Sequence, residues 1–172
     1  MASGSSTANL PGSISGHPGP KARQRGRGFP VRVMNTAWAL DERLAQDSVP
    51  VGDLALSRVL LAKDANYPWL ILVPRRAGVT EIIDLAEADQ AQLLAEIVAA
   101  SRALKAVTEC DKLNVAALGN VVAQLHVHVI ARRHSNPAWP KPVWGAAPPA
   151  VYEERNLMGL LTALRQRLGI AG

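Results

Sequence analysis

The sequence predicts an α+β fold, an antiparallel sheet with helices packed against one face. Three features predict it. Two short runs rich in Leu, Val and Ile flank a turn-forming segment, two longer stretches carry apolar residues at helical spacing, and one run alternates polar with apolar residues over 121–131. The chain has 172 residues and is 48% hydrophobic, which suits one domain with a substantial core. It is too short for an eight-fold barrel of about 250 residues.

Asn35–Leu44 reads as a short helical entry, with Trp38, Leu40 and Leu44 as its apolar residues. Leu54–Ala62 and Trp69–Val73 read as strands of a hairpin, because Lys63–Pro68 between them holds Asp, Asn and Pro, which favour turns. Asp84 and Glu87 have the spacing of a capping box that opens a helix running to about Thr108. Leu93, Leu94, Ile97, Val98, Leu104 and Val107 form its apolar stripe. Leu113–Ala117 and Val121–Ala131 read as two further strands, punctuated by Gly119-Asn120. Prolines at 137, 140, 142, 148 and 149 exclude regular structure between them, and Val151–Leu168 reads as a closing amphipathic helix.

Charge is unevenly placed. Residues 1–33 carry Lys21, Arg23, Arg25, Arg27 and Arg32 and no acid, among six glycines and four prolines. They read as a disordered basic tail, with 34–172 as a single domain that Met34 would open. The domain holds 14 basic and 14 acidic residues, so the net charge of +5 belongs to the tail. Phe29 is the lone Phe, Trp or Tyr among these charges, too few for a stacking platform, which argues against nucleic acid as a partner. One cysteine, Cys110, excludes an internal disulfide framework. No apolar run approaches the ~20 residues of a membrane helix, and no apolar stretch of ~7–15 residues follows a basic start. The expected location is the cytoplasm.

The chemistry concentrates on 121–131. Alternate residues of a strand share a face, so Gln124, His126 and His128 should line one open face while Leu125, Val127 and Val129 enter the core. Imidazole, with an ordinary pKa of about 6.5, serves as nucleophile, base or acid near neutrality. Two histidines on a half-solvated sheet could also be plain surface residues. A metal site on the pair lacks evident third and fourth ligands.

Gln124-Leu-His126-Val-His128-Val-Ile130 resembles the histidine-triad (HIT) family of nucleotide hydrolases and transferases, whose signature alternates histidines with hydrophobic residues on a strand. The resemblance extends over roughly residues 45–145, from the hairpin ending in Val-Pro-Arg-Arg through the helix to the Trp- and Pro-containing tail. It implies a sheet of about five strands and a homodimer. It also implies that His126 is the nucleophile, attacking the α-phosphate of a nucleotide to form a nucleotidyl-histidine that water hydrolyses. The other ring nitrogen would be held protonated by a main-chain carbonyl, which Gln124 can supply. His128 would contact phosphate oxygens, Gly119 and Asn120 would form the phosphate loop, and Asp64 would bind the ribose hydroxyls. Asn114 matches a polar strand residue near the substrate, or it satisfies main-chain groups at a strand end.

The chain departs from the family pattern at three positions, one of them Asn120 where the loop usually carries Gln. Gln124 replaces the first histidine; it can still hydrogen-bond a phosphate or leaving group of the substrate but cannot act as an acid, and Val121 stands where a hydroxyl often assists the leaving group. The implied activity is hydrolysis of phosphoanhydride or phosphoramidate bonds, as in diadenosine polyphosphates or adenosine phosphoramidates. The covalent step requires no metal, although magnesium could accompany a polyphosphate. The other class that fits is a nucleotide-binding module with weak or lost catalysis. Trp139 and Trp144 either wall the site or anchor the irregular segment to the core. Arg75, Arg76, Arg132 and Arg133 read as strand-end residues, more in keeping with solvation than with drawing a polyphosphate. His134 reads as exposed.

Overall fold

Five strands form one antiparallel sheet in the computed structural model, which describes residues 37–171. They are β1 (Ser48–Asp53), β2 (Ser57–Ala62), β3 (Trp69–Pro74), β4 (Lys112–Ala116) and β5 (Val127–Arg132), in spatial order β1-β2-β3-β5-β4. Helix α1 (Glu42–Gln46) precedes β1, α2 (Glu87–Thr108) links the hairpin to β4, and α3 (Glu154–Leu168) closes the chain. The tail assigned to residues 1–33 lies outside the described residues. No described helix is long and apolar enough to cross a membrane.

Strands β2, β3 and β5 are buried on both faces, so their sequences are apolar throughout rather than alternating. On one face Val59, Leu61, Leu70, Leu72, Val129 and Ala131 pack against Ala100 and Leu104 of α2 and Leu161 and Leu164 of α3. On the other, Leu60, Ile71 and Val73 pack against Leu44, Val122 and Trp38. Further along this second face, Ile130 meets Tyr67, Ala138 and Val143. Leu44 of the short helix α1 and irregular chain therefore cover the face opposite α2 and α3.

Several expectations need correction. Strand β1, which holds Pro50 and Gly52, falls where the sequence reading assigns no element. The proline is tolerated on an edge strand, and the register slips between Pro50 and Gly52. Gly52 has a φ of +152°, and a side chain there would collide with Ile170. The hairpin strand begins at Ser57 rather than Leu54. In the entry segment the helix is Glu42–Gln46, and the described residues before it carry no regular secondary structure.

Asp84 does not cap α2. It accepts from Thr80 and Glu81 and closes a short 3-10 turn at Ile82–Asp84, while Ala86 stands at the N-cap of α2. Leu94 and Val98 leave the predicted stripe and are exposed, whereas Leu93 and Leu104 are buried as expected. In α3 the expected side packs inward through Leu161 and Leu164.

Candidate active site

The strand carrying the motif starts later than the alternation suggests. It spans Val127–Arg132 rather than Val121–Ala131, so Gln124 and His126 lie on irregular chain just before it. Outside the ladder this stretch is held by Leu125 N–H donating to the Val79 carbonyl at 3.0 Å. The alternation of faces still holds. Val127 and Val129 join clusters on the helix side, and Ile130 joins the opposite one. The histidine face, however, is not open: His126 is 7% exposed and His128 6%.

Each imidazole has one nitrogen fixed. His126 Nδ1 lies 2.7 Å from the Gln124 carbonyl. A carbonyl only accepts, so Nδ1 carries the proton and Nε2 of the neutral ring keeps its lone pair. His128 has the opposite arrangement. Trp69 Nε1 donates to its Nδ1 at 2.9 Å, so a neutral His128 carries its proton on Nε2. Burial, reinforced by the neighbouring His126, lowers the His128 pKa to about 4. The ring is therefore neutral at physiological pH. The two imidazoles meet edge to face, with centroids 4.8 Å apart. Side by side they present a lone pair and an N–H donor.

Trp144 packs edge-on against both His128 and Trp69, with centroids 5.5 Å away in each case, and so walls the site. Trp139 is instead an anchor, against His134 and over Arg132. A narrow cleft reaches His126 between Thr80-Glu81 on one side and Ala117-Leu118-Gly119 on the other. Gly119 takes a φ of +69°, the left-handed conformation that glycine adopts without strain. Asn120 follows it, exposed, and Val121 is 77% exposed.

The remaining candidates are differently placed. The Gln124 side chain is occupied: Oε1 accepts from Asp41 N–H at 2.9 Å and Nε2 donates to the Ala39 carbonyl at 2.8 Å. Asn114 is paired with Ile130 in the register, which puts it on the histidine face, but its Oδ1 accepts from Arg132 Nη1 at 2.7 Å. Arg132 is not solvated as a strand-end arginine would be. It is 1% exposed, bonded also to the Lys141 carbonyl and flanked by the Tyr67 ring. Asp64 lies past the end of β2, at the end of the sheet away from His126. Its Oδ1 accepts from Asn66 N, Asn66 Nδ2 and Ala150 N. The neighbouring Tyr152 hydroxyl is buried without a partner, and burial together with Asp64 pushes its pKa up to about 12. His134 is exposed and bridges to Asp111 at 3.0 Å.

Trp69, Thr80, Glu81 and the segment 38–41 were not anticipated as parts of this site. The alternation of Trp69-Leu-Ile71 puts Trp69 and Ile71 on one face, but only the β3–β5 register reveals that this is the histidine face. Among the described residues no three His, Cys, Asp or Glu side chains converge to hold a metal ion.

Sheet, helices and paired imidazoles together define an α+β protein with a histidine site on the sheet face opposite α2 and α3. The chain matches the HIT domain over residues 43–135 and belongs to that family. Members of this superfamily are in general nucleotide hydrolases and transferases. Among solved structures it resembles a histidine triad protein, blr8122, of Bradyrhizobium japonicum. The identity is 57% and the TM-score 0.76, over 77% of this chain and 98% of the other. A histidine triad protein of Marinobacter aquaeolei is 44% identical with a TM-score of 0.75, over 77% of this chain and 97% of the other. One from Sinorhizobium meliloti is 43% identical with a TM-score of 0.74, over 76% and 96% respectively. No curated protein matches the chain.

Proposed function

We propose that this protein hydrolyses phosphoanhydride or phosphoramidate bonds of nucleoside compounds through a nucleotidyl-histidine intermediate. The supporting observation is the 2.7 Å contact between His126 Nδ1 and the Gln124 carbonyl. It leaves Nε2 as the nucleophilic nitrogen. Nε2 forms a bond to the α-phosphorus as the bond to the leaving group breaks, with the electron pair departing on that group. Water then attacks the phosphorus, the P–N bond breaks, and the nucleoside monophosphate and free imidazole are released. His128 donates from Nε2 to a phosphate oxygen, and Gly119 and Asn120 receive the phosphate on the loop. Asp64 and Asn114 act toward the nucleoside. The leaving group gains no proton from Gln124, whose amide is not an acid, or from Val121. Within this reading that favours phosphoanhydrides, such as diadenosine polyphosphates, over amines. No metal is required for the covalent step, and magnesium would travel with a polyphosphate substrate. The homodimer implied by the family resemblance is part of the same proposal.

Intact-mass measurement after rapid mixing with diadenosine tetraphosphate or an AMP phosphoramidate tests the reading. A transient adduct of one AMP is expected, and none in His126→Ala. Gln124, whose side chain is docked on Ala39 and Asp41, and Val121, which has no hydroxyl, favour a second reading, a nucleotide-binding module with weak or lost catalysis. Nucleotide binding with neither adduct nor turnover would establish that alternative.

A further inference from the structure

The carbonyl that orients His126 is not locked in place by the sheet. It belongs to Gln124, three residues before the first residue of β5, on chain that has left the ladder. Its peptide unit is held from outside the ladder, where Leu125 N–H donates to the Val79 carbonyl at 3.0 Å, and a second hold comes from the Gln124 side chain; a hydrogen bond directs an imidazole only if its acceptor stays put. The Gln124 side chain supplies two bonds of opposite sense to one segment, accepting from Asp41 N–H and donating to the Ala39 carbonyl. This is the reciprocal pairing that a neighbouring strand would make, provided here by a primary amide.

The segment it grips is itself anchored. Trp38 and Leu40 pack on the histidine face against Leu44, Leu60, Ile71, Val73 and Val122. The Arg58 guanidinium lies over the Trp38 ring at 5.2 Å. Asp41 caps α1 through its side chain, accepting from Arg43 N–H at 2.9 Å. The strap Trp38–Asp41 is thus a fixed rail, and Gln124 is clamped to it 83 and 85 residues away in sequence.

We propose that Gln124 is a positioning residue: its side-chain amide, docked on Ala39 and Asp41, holds its own carbonyl against His126 Nδ1–H and so fixes the reactive tautomer. The first motif position then serves the site from behind, through the chain rather than through the substrate. The strap becomes a working part of the site. The link to turnover rests on the function proposed above, but the tautomer claim does not.

The test uses the full chain with ¹⁵N-labelled histidine. Long-range ¹H–¹⁵N spectra report which ring nitrogen is protonated. The unsubstituted protein is expected to show His126 as a single Nδ1–H tautomer. In Gln124→Ala the His126 signals should move to a mixture of tautomers while those of His128, held by Trp69, stay unchanged. With a nucleotide substrate, kcat should fall about 10-fold with KM within about twofold, by analogy with the partners that orient metal-bound imidazoles, which are worth roughly 10–100-fold. Gln124→Glu keeps the acceptor for Asp41 N–H and loses the donor to Ala39, so its tautomer ratio should be intermediate; it also serves if Gln124→Ala fails to fold. An unchanged Nδ1–H tautomer in whichever of these variants folds overturns the proposal. So does a rise in KM with kcat preserved. If no nucleotide is turned over by any form, the proposed function fails while the histidine spectra still decide this inference.

Discussion

Trp69 decides which nitrogen of His128 carries the proton. An indole N–H can only donate, so the ring nitrogen it meets must be bare and the other protonated. Trp69→Phe keeps an aromatic wall beside Trp144 and removes that single donor. One hydrogen bond of this kind is worth about 0.5–1.5 kcal/mol, so kcat/KM should fall up to about 10-fold. Steady-state kinetics on a diadenosine polyphosphate measure it. Turnover equal to the unsubstituted protein would remove His128 from the phosphate-binding role. The two histidines were legible in the sequence because they lie two residues apart on one alternating run. Their partners were less so. Trp69 is 59 residues from His128 along the chain, and only the strand register brings it there. The amide of Gln124 reads as substrate-facing until its bonds to Ala39 and Asp41 are seen.

Helix α2 and the turn into β2 are joined by one carboxylate. Glu96 is 4% exposed, and its two oxygens accept from Leu56 N–H at 2.6 Å and Ser57 N–H at 2.9 Å. Hydrogen bonds to a charged group stabilise by about 1.5–3 kcal/mol each. Glu96→Ala leaves two buried N–H groups without partners and should cost at least ~3 kcal/mol, read by urea denaturation. A loss below ~1 kcal/mol would mean that water replaces the carboxylate, and Glu96 would then not be the joint between helix and hairpin. Glu96 lies among the apolar residues of α2, where helical spacing correctly foretold Leu93 and Leu104 as core. The same spacing did not foretell that Leu94 and Val98 would be exposed. A stripe gives the direction of burial, whereas its width depends on what the helix meets. Strand β1 was hidden for another reason. Its Pro50 and Gly52 suit an edge strand with a register slip, and nothing local distinguishes that from a loop. The central strands were legible because burial on both faces left runs such as Trp69–Val73 almost wholly apolar.

At the scale of the molecule, one consequence of covering the histidine face is a pH-dependent stability. His128 is enclosed by β3, β5 and the segment carrying Trp144, beside His126. The unfolded chain takes up a proton on this imidazole near the ordinary value of about 6.5. The folded protein does so only at about 4. Between these values the unfolded state binds more protons, so stability rises with pH and falls as acid is added. The contribution is complete above about 6.5, and below about 4 both states are charged and the loss levels off. A gap of that size corresponds to up to ~3 kcal/mol. His128→Asn cannot titrate here, so it should lose less stability than the unsubstituted protein between pH 7 and pH 4, by up to that amount. Carboxylates titrating in the same range affect both proteins and cancel in the difference. Urea midpoints measured across this range for the two proteins give that difference directly. Parallel curves would mean that the folded protein opens its histidine face to solvent, and that the wall formed by Trp69 and Trp144 does not hold.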